Sequence, residues 1–156
     1  MTLHVCDLLP KSRGRISLST PDPLAPPRIE ANYLSHPDDL PVLMNGLKIA
    51  RRITQAPALA RHIARETLPG PSVTTDAQLE ADIRARAETI YHPVGTCRMG
   101  NDADSVVDPK LKARGIEGLW IADASIMPRL VSGNTNAPSI MIGERAADFV
   151  KAELAA

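Results

Sequence analysis

Residues 91–100 read YHPVGTCRMG and bring His92, Cys97, Arg98 and Met99 within eight positions. Pro93 and Gly95 run through the stretch, and both oppose a helix, so the segment reads as a loop that presents side chains. Three chemistries use such residue types. Copper takes imidazole, thiolate and thioether, but a blue-copper site needs a second histidine, and His4, His36 and His62 lie far off in sequence. A Cys97 nucleophile with His92 as its base needs an electropositive surrounding for the thiolate and a third group to orient the base, and the sequence identifies neither. The third is the floor of a pocket for an organic cofactor. Taken alone, the stretch fits as well a buried, hydrogen-bonded histidine beside a cysteine that fills core space.

The elements that must position these side chains follow from the patterning. Residues 3–9 (LHVCDLL) and 14–19 (GRISLS) are β-prone runs separated by PKSR, and Arg15, Ser17 and Ser19 alternate with Ile16 and Leu18, so a hairpin or sheet-edge pair is expected. A proline-rich connector over 21–27 leads to a third extended run over 28–34, ending at Ser35 as a helix cap. From Asp38 the period becomes helical through Leu40, Leu43, Met44 and Leu47, with Asp38 and Asp39 in the first turn and Lys48, Arg51 and Arg52 in the last. Pro57 interrupts; 58–68 can form a shorter helix, stopped by PGP at 69–71. Thr75 and Gln78 form a capping-box pair ahead of the stripe Leu79, Ile83, Ala87, which predicts a helix running into Thr89. Beyond the loop at 91–100, Leu119 to Ala122 read as a buried strand between Gly118 and Asp123. Pro138 at a first helical position, with Asn136 near the cap, opens a last helix with Ile140, Ala147 and Val150 on its inner face. Met99, Met127 and Met141 read as core filling, and Arg98 and Arg145 as surface or ion-paired groups.

Composition narrows the function classes. The 18 Lys and Arg residues are dispersed among 18 Asp and Glu, which leaves no basic face for nucleic acid and no polybasic cluster for anionic lipid. Two cysteines are too few for a disulfide framework and stand in no metal-ligand spacing, as suits a reducing compartment. The start lacks a signal-peptide pattern, and no apolar run approaches the roughly 20 residues of a membrane span. A cytoplasmic location is expected, with peripheral attachment to the inner membrane left open though nothing in the sequence supports it. Scarce aromatics and 14 prolines predict a loop-rich domain whose packing depends on something outside the chain.

Three segments in order, YHPVGTCRMG, VVDPKLKARGIEGLWIADASIMP and SGNTNAPSIMIGERAAD, resemble the C-terminal part of the glucose-methanol-choline (GMC) flavin-dependent oxidoreductases, most of all the choline dehydrogenase and alcohol dehydrogenase branch. Upstream, HVCDLLPKSRGRISL and PRIEANYLSHPDDL are similar to substrate-domain segments of that branch, so the likeness covers nearly the whole chain. The resemblance implies FAD as cofactor and a small-molecule alcohol as substrate. It places His92 beside the flavin ring where the substrate hydroxyl docks, and Asn136 across the pocket. It sets Asp123 against the ribityl and pyrophosphate part of FAD with the Ala124 backbone beside it, and Ala137 and Pro138 at the pyrimidine end of the flavin. Trp120 and Ala113 depart from the residues usual in the family, in packing more than in chemistry.

These residue types suit such roles. Hydride leaves an alkoxide far more readily than an alcohol, and a histidine can take the hydroxyl proton near neutral pH. A carboxamide at Asn136 can donate to and accept from the substrate hydroxyl and so orient the reacting carbon. The positive end of a helix opening at Pro138 favours negative charge on a bound ring. Asp123 as a plain turn residue and Asn136 as a helix cap remain open beside these roles. A trimethylammonium group would call for an aromatic cage, and Tyr33, Tyr91, Trp120 and Phe149 show no sign in the sequence of converging.

The expected fold is α+β: an antiparallel sheet with helices on one face over 1–90, a substrate-binding portion, and an active-site loop with a C-terminal strand and helix of the FAD-binding domain over 91–156. The strand, glycine-rich turn and helix that cradle the ADP half of FAD are absent, since GTCRMG follows a helix and lacks the spacing. The chain therefore reads as the final third of an enzyme, expected neither to hold FAD nor to turn over by itself. Two alternatives stay open: a non-catalytic truncated or split-gene piece that needs an N-terminal partner chain carrying the FAD-binding segment, and a Cys97/His92 thiol hydrolase.

Overall fold

Strand β1 (Arg15–Ser17) and strand β2 (Arg28–Glu30) pair antiparallel in a computed structural model that describes residues 1–155, with Ile16 opposite Ile29. The run over 3–9, expected to be the partner of 14–19, forms no strand. It lies on helix α1 (Asp39–Gln55) instead: a Cβ at Gly46 would stand 2.2 Å from Val5 Cγ1, so a glycine inside this helix is what lets the segment approach. The pairing goes to the third run, and stops after Glu30 because Asn32 (φ 52°) and Leu34 (φ 55°) leave the extended region.

The chain forms two compact units, Met1–Ile90 and Tyr91–Ala156. In the first, α1 packs on helix α2 (Pro57–Ala60) and helix α3 (Asp76–Arg86). Ala56 turns extended ahead of Pro57, which ends α1 as the residue before a proline commonly does. The capping box forms: the Gln78 N–H donates to Thr75 Oγ1 at 3.2 Å and the Thr75 N–H to Gln78 Oε1 at 3.0 Å. Leu79 and Ile83 are buried, but Ala87 is exposed and extended, so α3 ends at Arg86 and not at Thr89. The helix expected over 58–68 is only α2. Arg51 draws the following segment into a loop, with its guanidinium on Glu66 (Nη2–Oε1 2.7 Å), the Val73 carbonyl (2.7 Å) and the Gly70 carbonyl (3.1 Å).

Among the described residues of the first unit no helix is laid on the two-stranded sheet, which differs from the expected helix-covered sheet. Three-residue strands offer one apolar cross-strand pair, and Ile16 and Ile29 are 49% and 67% exposed. The start of α1 is instead tied to residues 11–12. The buried Asp39 carboxylate accepts from the Lys11 N–H (2.8 Å), the Ser12 N–H (2.9 Å) and the Ser12 hydroxyl, while the Lys11 ammonium meets Asp38. Burial pushes the Asp39 carboxyl up, but the Ser12 hydroxyl and the two backbone N–H groups outweigh it and hold it below its ordinary value.

The second unit is built on a cluster of Val107, Leu111, Ile126, Met127, Ile142 and Ala146, with Met99, Trp120, Ile121 and Phe149 half-buried around it. Its backbone runs in short ladders. The Val106 N–H donates to the Arg98 carbonyl (3.0 Å), the Asp108 N–H to Lys112 (3.0 Å) and the Ile121 N–H to Leu111 (3.1 Å). The buried strand expected over 119–122 is reduced to one bridge, Lys112 with Trp120, and Leu119 is 43% exposed. Gly115 (φ 77°) and Gly118 (φ 71°) turn the chain just before it and a 3-10 turn (Ala124–Ile126) begins just after, and the pairing between them stops at that one bridge.

Helix α4 (Asn136–Leu154) closes the unit. It starts two residues before Pro138, which therefore occupies the third helical position, where a missing N–H is equally harmless. The inner face also differs from expectation. Ile142 and Ala146 are buried with Phe149 half-buried, whereas Ile140 is 60% exposed and Ala147 is exposed; Val150 is half-buried as expected. Of the three methionines read as filling, Met127 is buried and Met99 packs on the cluster, but Met141 is 54% exposed. No helix among the described residues is long and apolar enough to cross a membrane.

Candidate functional site

His92 sits at the head of the loop, directly after Tyr91, whose φ of 63° turns the backbone there. A bulky residue in that region costs about 1–3 kcal/mol and persists only where the surroundings hold it. Gly95 (φ 88°) makes the second turn, with the Met127 carbonyl 3.2 Å from where a Cβ would stand. The loop is then fastened to the 3-10 turn: the Cys97 N–H donates to the Ser125 carbonyl (3.0 Å) and the Met99 N–H to Ile126 (2.8 Å).

The half-buried His92 ring faces the beginning of α4, with Nδ1 2.9 Å from the hydroxyl Oγ1 of the buried Thr135. The histidine is thus anchored one residue ahead of Asn136, the first residue of α4, and both Asn136 and Ala137 are exposed. The expected pair, far apart in sequence, is brought to one helix end through Thr135, which was not among the candidate residues. A threonine ahead of a helix signals a cap, and nothing in its type distinguishes a cap from an anchor. Here the Thr135 side chain caps nothing. Among the described residues no acceptor takes the N–H groups of Asn136 or Ala137, so the positive end of α4 is open. Asn134, on the other side of Thr135, is a second exposed carboxamide at the same place.

Asp123 is exposed and one carboxylate oxygen accepts from the Ser125 N–H at 2.8 Å, so it caps the 3-10 turn, and among the described residues no hydrogen bond reaches its other oxygen. Ala124 is half-buried on the cluster, and Pro138 is half-buried in the first turn of α4. Cys97 is half-buried, and among the described residues no hydrogen bond links its sulfur to His92. No three His, Cys, Asp or Glu side chains gather as a metal site among the described residues. Arg98 forms a two-bond pair with Asp102 (2.6 and 2.9 Å), which holds the Asp102 carboxyl well below the usual carboxylate range, and Arg145 pairs with Asp148 at 3.2 Å.

A family model described as GMC oxidoreductase matches residues 10–143. The chain belongs to the GMC oxidoreductases. It is 60% identical over 149 residues to an alcohol dehydrogenase (acceptor) of Pseudomonas putida, covering 96% of this chain and 27% of that protein. It is 46% identical over 150 residues to oxygen-dependent choline dehydrogenase 1 of Chromohalobacter salexigens, covering 95% and 27%. Among solved structures it is similar to pyridoxine 4-oxidase from Mesorbium loti, with a TM-score of 0.81 and 37% identity over 90% of this chain and 28% of that one. An FAD-dependent oxidoreductase from Chaetomium thermophilum gives a TM-score of 0.87 with 32% identity over 94% and 26%. The chain thus spans about a quarter (27%) of the length of the curated GMC relatives it matches.

Proposed function

We propose that this chain forms the proton-accepting side of the active site in an FAD-dependent oxidoreductase that converts a primary alcohol, choline-like, aliphatic or aromatic, to its aldehyde. In this reading residues 1–90 belong to the substrate-binding domain, and 91–156 carry the active-site loop and the C-terminal part of the FAD-binding domain. The observation that carries the reading is the bond between His92 and Thr135, which supports an imidazole held beside Asn136 at an open helix end.

Those residues suit a flavin. The open N–H groups of Asn136 and Ala137, with Pro138 in the same turn, offer donors to a carbonyl-rich ring edge. Asp123 has a second carboxylate oxygen for a ribityl hydroxyl, with Ala124 beside it. FAD bound there would supply the hydride acceptor. His92 takes the hydroxyl proton at Nε2, the ring atom left over by Thr135. Asn136 holds the alcohol oxygen so that the carbon bearing the hydride keeps its orientation, and Asn134 is placed to share that task. Among the relatives' named substrates, alcohol suits this chain better than choline: the rings of Trp120 and Phe149 already carry Lys112 (5.5 Å) and Arg145 (5.2 Å) over them, so these two are not a free cage for a trimethylammonium group.

The test is complementation. The 156-residue chain alone is expected to hold no FAD and to oxidise no alcohol, whereas co-expression with the N-terminal remainder of the Pseudomonas putida alcohol dehydrogenase should give a yellow complex with dye-linked alcohol oxidation. A yellow complex that oxidises no primary alcohol, or full activity toward an ester that vanishes in Cys97→Ala, would refute the reading.

A further inference from the structure

Thr135 occupies the cap position of α4, yet its hydroxyl makes no bond to the helix. A cap oxygen ordinarily accepts from the N–H of the second or third helical residue. The third here is Pro138, which has no N–H, so one of the two claimants is removed by the sequence itself. The freed oxygen stands 2.9 Å from His92 Nδ1, in a residue only 8% exposed.

We infer that Thr135 is a positioning residue whose hydroxyl oxygen accepts from His92 Nδ1–H, holding the imidazole in the tautomer that leaves the Nε2 lone pair free. The inference rests on the reading of His92 as the proton acceptor and says how that acceptor is prepared. A neutral imidazole bears one proton. If the Thr135 hydroxyl donated to Nδ1, the proton would sit on Nε2 and the atom facing the substrate could accept nothing. After the substrate proton arrives both ring nitrogens are donors, so a bond from Nδ1–H to Oγ1 is the one arrangement that survives the transfer without the hydroxyl turning over. Proton and bond then balance: the alcohol O–H breaks, Nε2–H forms, and Nδ1–H stays on Thr135.

The experiment reads the tautomer directly, by proton-coupled 15N NMR of histidine-labelled 156-residue chain at a pH where His92 is neutral. Wild type should show the proton on Nδ1, Thr135→Ser should keep it there, and Thr135→Val should move it to Nε2. A wild type with the proton on Nε2, or a Thr135→Val chain with the tautomer unchanged, would overturn the inference. If Thr135→Val does not fold, the wild-type tautomer alone decides. In the complemented holoenzyme, Thr135→Val should lower kcat about 10-fold with little change in KM, a part of what general-base catalysis contributes, and Thr135→Ser should restore it. The NMR result does not depend on turnover, so it can fail while the proposed reaction stands, or hold while that reaction fails.

Discussion

In Met1–Ile90 polar clamps join a helix to a loop, Asp39 on residues 11–12 and Arg51 on residues 66–73, whereas Tyr91–Ala156 is gathered round one apolar cluster. The first unit buries Leu40, Leu79 and Ile83 and leaves Leu18, Leu24 and Ile29 between 67% and 90% exposed. The second has few regular elements, yet Val107 is fully buried. The contrast bears on function. A loop proposed to carry chemistry needs fixed geometry, and the loop with His92 is laid by backbone bonds along the 3-10 turn over a packed floor. The clamps of the first unit hold loops by charge and hydrogen bonding, which acid and mutation can release.

Ile126→Ala, in the floor of the second unit, should cost about 2–5 kcal/mol, seen as lost hydrogen-exchange protection over 97–127 while α1 and α3 keep theirs. Protection lost equally in α3 would mean the units do not unfold separately. Next in size, Asp39→Ala leaves the Lys11 and Ser12 N–H groups without their acceptor and should cost about 2 kcal/mol, confined to the first unit. Arg51→Lys keeps the charge but loses the fork on Glu66, and about 1 kcal/mol with faster exchange around Val73 is expected. Arg15→Ala, on an exposed hairpin pair, should stay within about 0.5 kcal/mol of wild type.

Acid sharpens the same contrast. The folded-state carboxyl of Asp39 titrates below its ordinary value near 3.8, so its stabilisation is complete above that value and is lost as pH falls through the lowered one. Amide protection near residues 11–12 and 39 should therefore weaken below about pH 4. Asp102 in the second unit is lowered as well, but its pair with Arg98 is exposed, so salt should weaken that contribution and leave the Asp39 clamp unchanged. Equal salt sensitivity of both would contradict the distinction.

Much of this was legible along the chain where a local rule suffices. Thr75 and Gln78 signal the start of α3 because a capping box is complete within four residues. Pairing of 14–19 with 28–30 and not with 3–9 was not legible. It turns on Val5 seating at Gly46 and on left-handed backbone at Asn32 and Leu34, which local propensity does not encode. The start of α4 was displaced because none of the first helical residues has an intrahelical acceptor for its N–H, so a proline marks the first turn without marking its first residue. The inner face, Ile142 and Ala146 instead of Ile140 and Ala147, is set by packing on Val107, Leu111 and Ile126, which the local pattern does not encode. Resemblance singles out His92 and Asn136 as candidates; Thr135 looks like a cap in sequence, and only the 2.9 Å contact marks it as the partner of the His92 ring.

The most direct test of the account is the anaerobic rate at which a primary alcohol reduces the flavin in the complemented enzyme, compared between wild type and His92→Ala. If His92 accepts the hydroxyl proton, the rate should fall by about 10²-fold or more with FAD still bound. Reduction at the wild-type rate in a fully flavinated His92→Ala enzyme would contradict it.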